Sequence, residues 1–357
     1  MFVLDTHCDT PSQILRLRNL AKDNEYAHVD FPKLRRGGVD GVFFALYVPA
    51  SLDADPDKAF EYAGRLLEGV EKTVSENSLY AAFARTPEDA YSNKAASKVS
   101  VFLGLENGSP VGHSLERVKL FYDRGVRYVT LCHSADNQIC DSCASTINKW
   151  GGLSPFGHDV VAELNRLGML VDVSHASDDT FYDVLECSTK PVVATHSCCR
   201  ALADHPRNMT DDMIRALASS GGVIQINFYP VFLDNGFRYA LAQSGIMEKG
   251  ELIESDFISD PGNSTKRAAW NRVQDELMAL MRPSYKLIAD HIDHVVDLVG
   301  IDHVGIGSDF DGIEVTPEGM EDISKMPVLF EELRDRGYSE DDLSKLAGAN
   351  FFRVLKY

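Results

Sequence analysis

Short runs of apolar residues recur along the chain and alternate with longer amphipathic stretches. Such runs, rich in β-branched and aromatic side chains, are typical of strands that are buried on both faces. Eight of them are predicted as strands, at residues 2–4, 42–47, 99–105, 128–132, 170–174, 192–195, 223–228 and 304–308. Strands of this kind occur mainly in parallel sheets that are covered by helices on the outside.

The amphipathic stretches between these strands predict helices. They lie at residues 11–20, 57–75, 114–124, 155–166, 178–187, 211–219, 285–299 and 339–355. Eight strands alternating with helices indicate a (β/α)8 barrel, also called a TIM barrel, so we expect one α/β domain over residues 1–357. Residues 234–283 are polar and irregular in pattern, which predicts an insertion after the seventh strand that covers the barrel mouth as a lid.

Composition and charge narrow the class of protein. The 357 residues are 44% hydrophobic and 25% charged, as in ordinary soluble globular proteins. The net charge of −19 argues against nucleic acid as a partner, because nothing offsets the repulsion from phosphates. No apolar run approaches the roughly 20 residues that cross a bilayer, and no secretion signal is visible. We therefore expect a cytoplasmic protein that does not associate with membranes.

The seven cysteines are odd in number and scattered through a chain long enough to build its own core. This usage fits a reducing cytoplasm better than a disulfide framework. The pair Cys140-x-x-Cys143 could bind a metal or carry out redox chemistry, but no second pair completes a structural zinc site. A loop with two free thiols is the favoured interpretation, and the adjacent Cys198 and Cys199 are expected to pack in the core.

Residues that can bind metals follow the predicted strands at their carboxyl ends, on six of the eight strands. In a (β/α)8 barrel the carboxyl ends of all strands meet at one face, where active sites lie. Side chains alternate along a strand, so the two outer side chains of a His-x-Asp motif on the first strand point to the same face. The sequence therefore predicts a single site made of His7 and Asp9, Glu106, His133, His175, His196 and Asp309.

Three histidines and two acids in one barrel mouth can build a two-metal site for divalent ions of the zinc type. Glu106 is the expected bridge, because a carboxylate has two oxygens and can span two ions about 3.5–4 Å apart. One ion would be held by His7 and Asp9, and the other by His175 and His196. Such a centre produces hydroxide at neutral pH, which can attack a carbonyl carbon.

Three more residues are candidates for substrate chemistry. Asp309 is expected to transfer the proton during attack and departure, although a turn or helix-cap role is the alternative. His133 could donate to the oxyanion or be a more distant polar residue. The guanidinium of Arg207, in the loop after the sixth strand, suits bidentate capture of a carboxylate, or belongs to an ordinary surface arginine. His291 and His294 lie on a helix that leads into a strand, away from the mouth, and are interpreted as structural.

Seven short motifs, in order along nearly the whole chain, resemble those of the renal-type membrane dipeptidase family, metallopeptidases of the amidohydrolase superfamily. The motifs are Asp5-Thr6-His7-Cys8-Asp9, Gly104-Leu105-Glu106-Asn107-Gly108, Thr130-Leu131-Cys132-His133, Asp172-Val173-Ser174-His175, Thr195-His196-Ser197, Arg207-Asn208-Met209-Thr210-Asp211-Asp212 and Gly307-Ser308-Asp309-Phe310-Asp311-Gly312. The resemblance implies hydrolysis of dipeptides, often with tolerance of a D-residue at the C-terminal position.

The resemblance also implies a role for each residue already named. Five would bind two zinc ions: His7 and Asp9 the first, His175 and His196 the second, and Glu106 both. Three would act on the dipeptide: His133 on the scissile carbonyl, Arg207 on the terminal carboxylate and Asp309 as the proton shuttle. Two departures from the family are visible. The secretion signal and lipid-anchor tail of mammalian members are not seen, and Phe232 aligns where some members have a tyrosine that assists the terminal carboxylate.

Three other functions compete with a dipeptidase. Another amidohydrolase, such as a lactonase or a deaminase, is one, but deaminase-type members usually carry His-x-His on the first strand and a single metal. A non-catalytic barrel that keeps its metals for structure would not need Asp309 and Arg207. A phosphate-binding isomerase barrel lacks support, because the loops after strands seven and eight contain no evident phosphate cradle. Association into a homodimer is left open by the sequence.

Overall fold

A computed structural model describes residues 1–356 of the chain. One sheet contains the strands β1 Leu4–Cys8, β2 Gly41–Tyr47, β3 Ala81–Phe83, β4 Val99–Glu106, β5 Val126–Thr130, β6 Leu170–Asp172, β7 Val193–Ser197, β8 Val223–Ile226 and β9 Val304–Ile306. Neighbouring strands pair in parallel, as their apolar sequences predict.

Eight of these strands form a nearly closed barrel in the order β1-β2-β4-β5-β6-β7-β8-β9, while β3 pairs with β4 outside this path. The circle closes beyond β9, where Cys8 and Phe310 form a parallel bridge. There the amide of Asp9 donates to the carbonyl of Phe310 at 2.9 Å, and the amide of Asp309 donates to the carbonyl of His7 at 3.0 Å. The prediction of a (β/α)8 barrel is confirmed.

The helices surround this barrel. They are α1 Thr10–Leu15, α2 Phe31–Arg36, α3 Pro56–Glu76, α4 Pro87–Ala95, α5 Leu115–Asp123, α6 Pro155–Leu167, α7 Asp178–Cys187, α8 Asp211–Ser219, α9 Pro230–Leu233, α10 Asn235–Ser244, α11 Ile246–Ser259, α12 Ser264–Met278, α13 Lys286–Val299, α14 Met326–Asp335, α15 Glu340–Ser344 and α16 Asn350–Leu355. In residues 1–356, none of these helices combines the length and the apolar character that a bilayer crossing requires.

The barrel interior has an apolar layer at its amino-terminal end. Seven strands each contribute one buried side chain, and Phe351 of α16 covers them. The strand residues are Leu4, Phe43, Phe102, Tyr128, Leu170, Val193 and Val223. Because side chains alternate along a strand, the residue two positions further points to the same side. The strands therefore place Glu106, Thr130, Asp172 and Thr195 inside the barrel, nearer its carboxyl end than this layer.

Several predicted boundaries were wrong where a strand continues through polar residues. The first strand runs through His7 to Cys8 and is buried throughout, whereas the apolar run ends at Leu4. The sixth predicted strand likewise continues past Thr195 to Ser197, so that His196 lies within it. Polar side chains at these positions face the barrel mouth and not solvent. A pattern of apolar residues does not indicate that such positions belong to a strand.

Residues 234–283, predicted as an insertion, contain the helices α10, α11 and α12, which their irregular sequence pattern did not indicate. Their action as a lid stays a prediction. These helices share a small core of their own, formed by Phe237, Leu241, Phe257, Trp270, Val273, Leu277 and Val315. The core residues are spread over three helices and a distant loop. Mutual burial therefore stabilises these helices, and the sequence of each one alone is weakly amphipathic.

Five further elements were not predicted, namely the strand β3 and the helices α2, α4, α9 and α14. The strand β3 is too short for an alternation to be visible. The predicted closing helix over residues 339–355 is divided into α15, a π-helical turn at Lys345–Ala349 and α16. Gly348 has a non-helical backbone inside that turn, and a Cβ there would lie 3.0 Å from that of Leu4.

Candidate active site

All of the predicted site residues meet at the carboxyl end of the barrel, within or just after the strands that carry them. His7 lies in β1, Glu106 ends β4, and His196 lies in β7. Asp9 follows β1 directly, and three others, His133, His175 and Asp309, follow their strands by three residues. Arg207 lies in the loop between β7 and α8.

Glu106 lies between two pairs of possible metal ligands. Its Oε2 is 3.2 Å from Nε2 of His7, which is itself 3.6 Å from Oδ2 of Asp9. Its Oε1 is 3.2 Å from Nε2 of His175 and 3.4 Å from Nε2 of His196. Each carboxylate oxygen therefore faces a different pair, which is the arrangement that a bridging ligand requires.

Local backbone conformation directs the two histidines on strands toward the centre. The pairing of β1 with β2 shifts register between Asp5 and Cys8, and that of β7 with β8 shifts between Ala194 and Ser197. Strict alternation from Leu4 and Val193, which point inward, would leave His7 and His196 pointing outward. Such irregularities are known to re-aim side chains next to active sites.

The site leaves polar atoms without partners. Oδ1 of Asp9 is buried and has no hydrogen-bond partner among residues 1–356. The Nε2 atoms of His175 and His196 lie 3.0 Å apart and both face Glu106, so one ion could bind both of them. A divalent cation would satisfy these atoms, and imidazole and carboxylate are the ligand types that zinc accepts. The residues present thus fit a metal centre.

The two pairs differ in charge. Burial alone would lower the pKa of His7, but the carboxylates of Glu106 and Asp9 outweigh burial and raise that pKa well above its usual value. Burial, with the neighbouring Glu106, raises the pKa of Asp9 to about 7. Burial lowers the pKa of His175 and that of His196 well below the usual value. The second pair is therefore a pair of neutral imidazoles, as metal ligation requires.

Asp309 lies beside the first pair, with a ligand-type atom within 4.8 Å of those of His7 and His196. Asn227 donates from Nδ2 to Oδ2 of Asp309 at 2.8 Å, which fixes the orientation of the carboxylate. Burial, with the nearby charge of Asp9, raises the pKa of Asp309 to about 7. A Cβ on Gly312 would lie 2.0 Å from Oδ2 of Asp9 and 2.6 Å from Oδ1 of Asp309, so only glycine fits there.

Arg207 is held rigidly at the edge of the site and is only 5% exposed. Its Nη1 donates to Oγ of Ser197 at 2.8 Å, and its Nη2 donates to the carbonyl of His196 at 2.6 Å. Nε is buried and has no hydrogen-bond partner in residues 1–356. The guanidinium carbon lies 5.7 Å from the ring centre of Phe232, which forms an apolar wall beside it.

His133 completes the group on the side of Glu106 that faces the second pair. Its Nε2 is 4.0 Å from Oε1 of Glu106, and its ring centre is 4.2 Å from that of His175. Burial, followed by the positive charge of Arg207, lowers the pKa of His133 to about 3. The ring is therefore neutral near pH 7 and carries one N–H that it can donate.

Other predicted positions lie away from this site. His291 is buried in α13 and accepts from the amide of Cys199 at 3.0 Å, while His294 contacts Asp211 at 2.8 Å. Cys140 is buried, Cys143 is half-buried, and all seven cysteines are free thiols. The interpretation of His291 and His294 as structural agrees with these contacts.

Two residues of the site were missed by sequence reasoning. The hydroxyl of Tyr128 lies 2.9 Å from Nδ1 of His7, and Asn227 binds Asp309. Tyr128 stands inside an apolar strand and resembles a core residue in the sequence. Asn227 is the next-to-last residue of the run 223–228, where polar side chains among apolar ones are the signal that the sequence offers.

Comparison with known proteins identifies the family. The sequence model of the membrane dipeptidase family, peptidase family M19, matches residues 1–357. The chain belongs to this family. The dipeptidase aclJ of Aspergillus oryzae is 32% identical over 360 residues, which cover 99% of this chain and 75% of that protein. Membership confirms the resemblance seen in the sequence motifs, and it makes this chain a peptidase of the dipeptidase type.

Solved structures of M19-type peptidases share the fold. The probable dipeptidase PvdM of Pseudomonas aeruginosa is 26% identical with a TM-score of 0.83, over 99% of this chain and 94% of that chain. A metallo peptidase of Rhodobacter sphaeroides, liganded with a phosphinate mimic of the dipeptide L-Ala-D-Ala, is 26% identical with a TM-score of 0.80. That match covers 100% of this chain and 99% of the other.

Proposed function

We propose that this M19 peptidase is a two-metal dipeptidase, which hydrolyses the peptide bond of dipeptides and accepts a D-residue at the C-terminal position. The observation that carries the proposal is the position of Glu106, with Oε2 facing His7 and Asp9, and Oε1 facing His175 and His196. Two divalent ions, expected to be zinc, would bind there. When bound, such a pair lowers the pKa of water and polarises a carbonyl group.

The chain's own residues would fix the substrate at both ends of the scissile bond. Arg207 would hold the terminal carboxylate, through the unpartnered Nε and the remaining hydrogens of its guanidinium. The hydrogen bonds to Ser197 and to the backbone of His196 hold the guanidinium beside the second pair of ligands. His133, neutral and with one N–H, would donate to the carbonyl oxygen as negative charge develops on it.

Asp309 would move the proton. Its carboxylate would accept a proton from the attacking water and return it to the nitrogen of the leaving amino acid. The hydrogen bond from Asn227 occupies Oδ2 and leaves Oδ1 available for this transfer. A buried carboxylate with a raised pKa is suited to both halves of the cycle, because it can hold and release a proton near neutral pH.

Acceptance of a D-residue is supported by the way Arg207 is built into the site. The guanidinium recognises the carboxylate and not the side chain, and Phe232 beside it is an apolar wall without a directional hydrogen bond. The related Rhodobacter sphaeroides enzyme was crystallised with a mimic of L-Ala-D-Ala. Homodimer formation and a cytoplasmic location stay predictions from the sequence.

The experiment that tests the proposal compares L-Ala-D-Ala, its C-terminal amide and the corresponding tripeptide. Loss of the charged carboxylate should cost about 1.5–3 kcal/mol, which is about 10–150-fold in kcat/KM. Arg207→Lys should lower the rate on the free dipeptide by a similar factor and remove its advantage over the amide. Arg215→Lys is the matched control, because the exposed Arg215 of α8 pairs with Asp212 and should leave the preference unchanged.

Three outcomes would contradict the proposal. Equal cleavage of the free dipeptide and its amide by the wild type would exclude Arg207 as the anchor. Lactone hydrolysis without dipeptide hydrolysis would favour a different amidohydrolase activity, and bound metal without any turnover would favour a non-catalytic barrel. Elemental analysis of the same samples shows whether two ions per chain are present.

A further inference from the structure

The ends of β6 and β7, which lead into the two histidines of the second pair, are joined by side chains. The main-chain pairing of these strands is short, with Asp172 opposite Val193. Beyond it, Oδ1 of Asp172 accepts from the amide of Thr195 at 2.9 Å, and Oγ of Ser174 accepts from the amide of His196 at 3.1 Å. Side chains of β6 and its loop thus position the backbone at His196.

Asp172 is fully buried, and four donors surround its carboxylate. Oδ1 accepts from the amides of Ser174 and Thr195, at 3.0 and 2.9 Å. Oδ2 accepts from the hydroxyls of Thr130 and Thr195, at 2.5 and 2.6 Å. An ionised carboxylate only accepts hydrogen bonds, so each of these hydroxyls must donate its single proton to Asp172.

The hydroxyl of Thr195 also lies 2.9 Å from Nδ1 of His196. Since its proton is already donated to Asp172, this oxygen can only accept, and Nδ1 must carry the hydrogen. In a neutral imidazole the other nitrogen then has the lone pair. That nitrogen, Nε2 of His196, faces Glu106 at 3.4 Å and His175 at 3.0 Å.

We propose that Asp172 is a positioning residue, which acts through Thr195 to hold His196 in the tautomer that presents its Nε2 lone pair to the metal centre. The inference deepens the proposed function and rests on it for the identity of His196 as a ligand. Partners behind a ligating histidine orient the ring and fix its tautomer, and losing them typically costs about 10–100-fold in metal affinity. In this series of hydrogen bonds, Nδ1–H of His196 donates to the hydroxyl of Thr195, and that hydroxyl donates to Asp172.

Replacing Asp172 with asparagine should reverse this chain of hydrogen bonds. The amides of Ser174 and Thr195 require an acceptor at Oδ1, so the oxygen of the new side chain must take that place. Its NH2 group would then occupy the position of Oδ2 and donate to Thr195. The hydroxyl of Thr195 would be free to donate to Nδ1 of His196, which favours the tautomer with hydrogen on Nε2.

The test measures zinc affinity by competition with a chromophoric chelator, for wild type and four variants. Asp172→Asn and Thr195→Val should weaken binding of one of the two zinc ions by about 10–100-fold. Thr195→Ser keeps the hydroxyl and should restore affinity close to wild type. Thr130→Val is the matched control, because it removes a hydrogen bond to the same oxygen of Asp172 but has no histidine partner.

A second measurement uses zinc-free protein and does not depend on activity. The ¹⁵N shifts of the His196 ring should show hydrogen on Nδ1 in the wild type and on Nε2 in Asp172→Asn. Equal loss of affinity in Thr130→Val and Thr195→Val, or hydrogen on Nε2 in the wild type, would overturn the inference. Wild type that shows the expected tautomer and binds zinc, but cleaves no dipeptide, would contradict the proposed function alone.

Discussion

The two ligand pairs beside Glu106 each place one histidine at the same distance from it, but they differ in their electrostatics. His7 and His175 each lie 3.2 Å from one of its oxygens. The carboxylates around His7 raise its pKa well above the usual value despite burial. For His175, burial and then the positive charge of Arg207 lower the pKa well below the usual value. The pocket of His7 and Asp9 therefore attracts a cation with two carboxylates, Asp9 and Glu106, whereas the pocket of His175 and His196 has Glu106 alone.

The second pocket compensates with orientation. His196 is directed by Thr195 and Ser174 through hydrogen bonds to its ring and its amide, at 2.9 and 3.1 Å. The charged guanidinium of Arg207 donates to its carbonyl oxygen, which places a substrate anchor next to the neutral imidazoles. The difference in charge between the two pockets shows how one centre can bind cations strongly and still accept an anionic substrate. The pocket near Arg207, the proposed anchor of the substrate, carries less negative charge.

Glu106→Gln is expected to have the largest effect, because it breaks both pockets together. The amide is neutral and offers one oxygen where the carboxylate offers two, so one pair loses this ligand and the other keeps only an uncharged one. Metal ions contribute several kcal/mol to such reactions, and a loss of about 4 kcal/mol is about 10³-fold in kcat/KM. Elemental analysis should show both ions depleted. A variant that keeps two ions per chain would show that Glu106 is not the bridge.

Asp309→Asn tests whether Asp309 belongs to the first pocket as a ligand. As a proton shuttle, Asp309 should be needed for turnover and not for metal binding, so kcat should fall by about 10²-fold or more. Both ions and the melting temperature should stay close to wild type, because asparagine has the same shape and can still bind Asn227. Depletion of one ion in this variant would reassign Asp309 as a ligand.

The strands of the barrel could be predicted from sequence because they are buried on both faces and read as short apolar runs. Their ends could not, since β1 continues through polar but buried residues such as Thr6, whose hydroxyl donates to the carbonyls of Thr195 and Ile306 at 2.9 and 3.0 Å. Helices α10 to α12 were missed for another reason. Their apolar residues, such as Trp270, are buried by the other two helices of this group and by Val315 of a distant loop, so each helix alone has only a weak apolar face.

The convergence of the candidate site could be predicted because a parallel barrel brings all strand ends together. Two features of the candidate site could not be predicted from the sequence. The register shifts that turn His7 and His196 inward depend on hydrogen bonds between strands and leave no local pattern. The role of Asp172 depends on four donors from two other strands and a loop, and no local pattern in the sequence indicates them.

Staged removal of the metals is the finest test of the comparison. A unit charge about 4 Å from a cation contributes about 4 kcal/mol at an effective dielectric constant near 20, and desolvation of the carboxylate offsets part of it. Asp9 therefore should make the first pocket tighter by about tenfold or more, which is about 1.4 kcal/mol. Arg207 adds to the difference, because its positive charge acts on His175 and His196.

Titration with a chelator should accordingly remove the two ions in separate stages, with the ion beside His175 and His196 leaving first. Two variants assign the stages. His175→Gln should lack the early stage and keep the late one, since the pocket of His7 and Asp9 stays intact. Asp9→Asn should lose the late stage or merge it with the early one, because the carboxylate that separates the two affinities is gone. Two results would show that charge does not distinguish the two pockets. In one, the wild type loses both ions in a single step. In the other, the late stage survives in Asp9→Asn and disappears in His175→Gln.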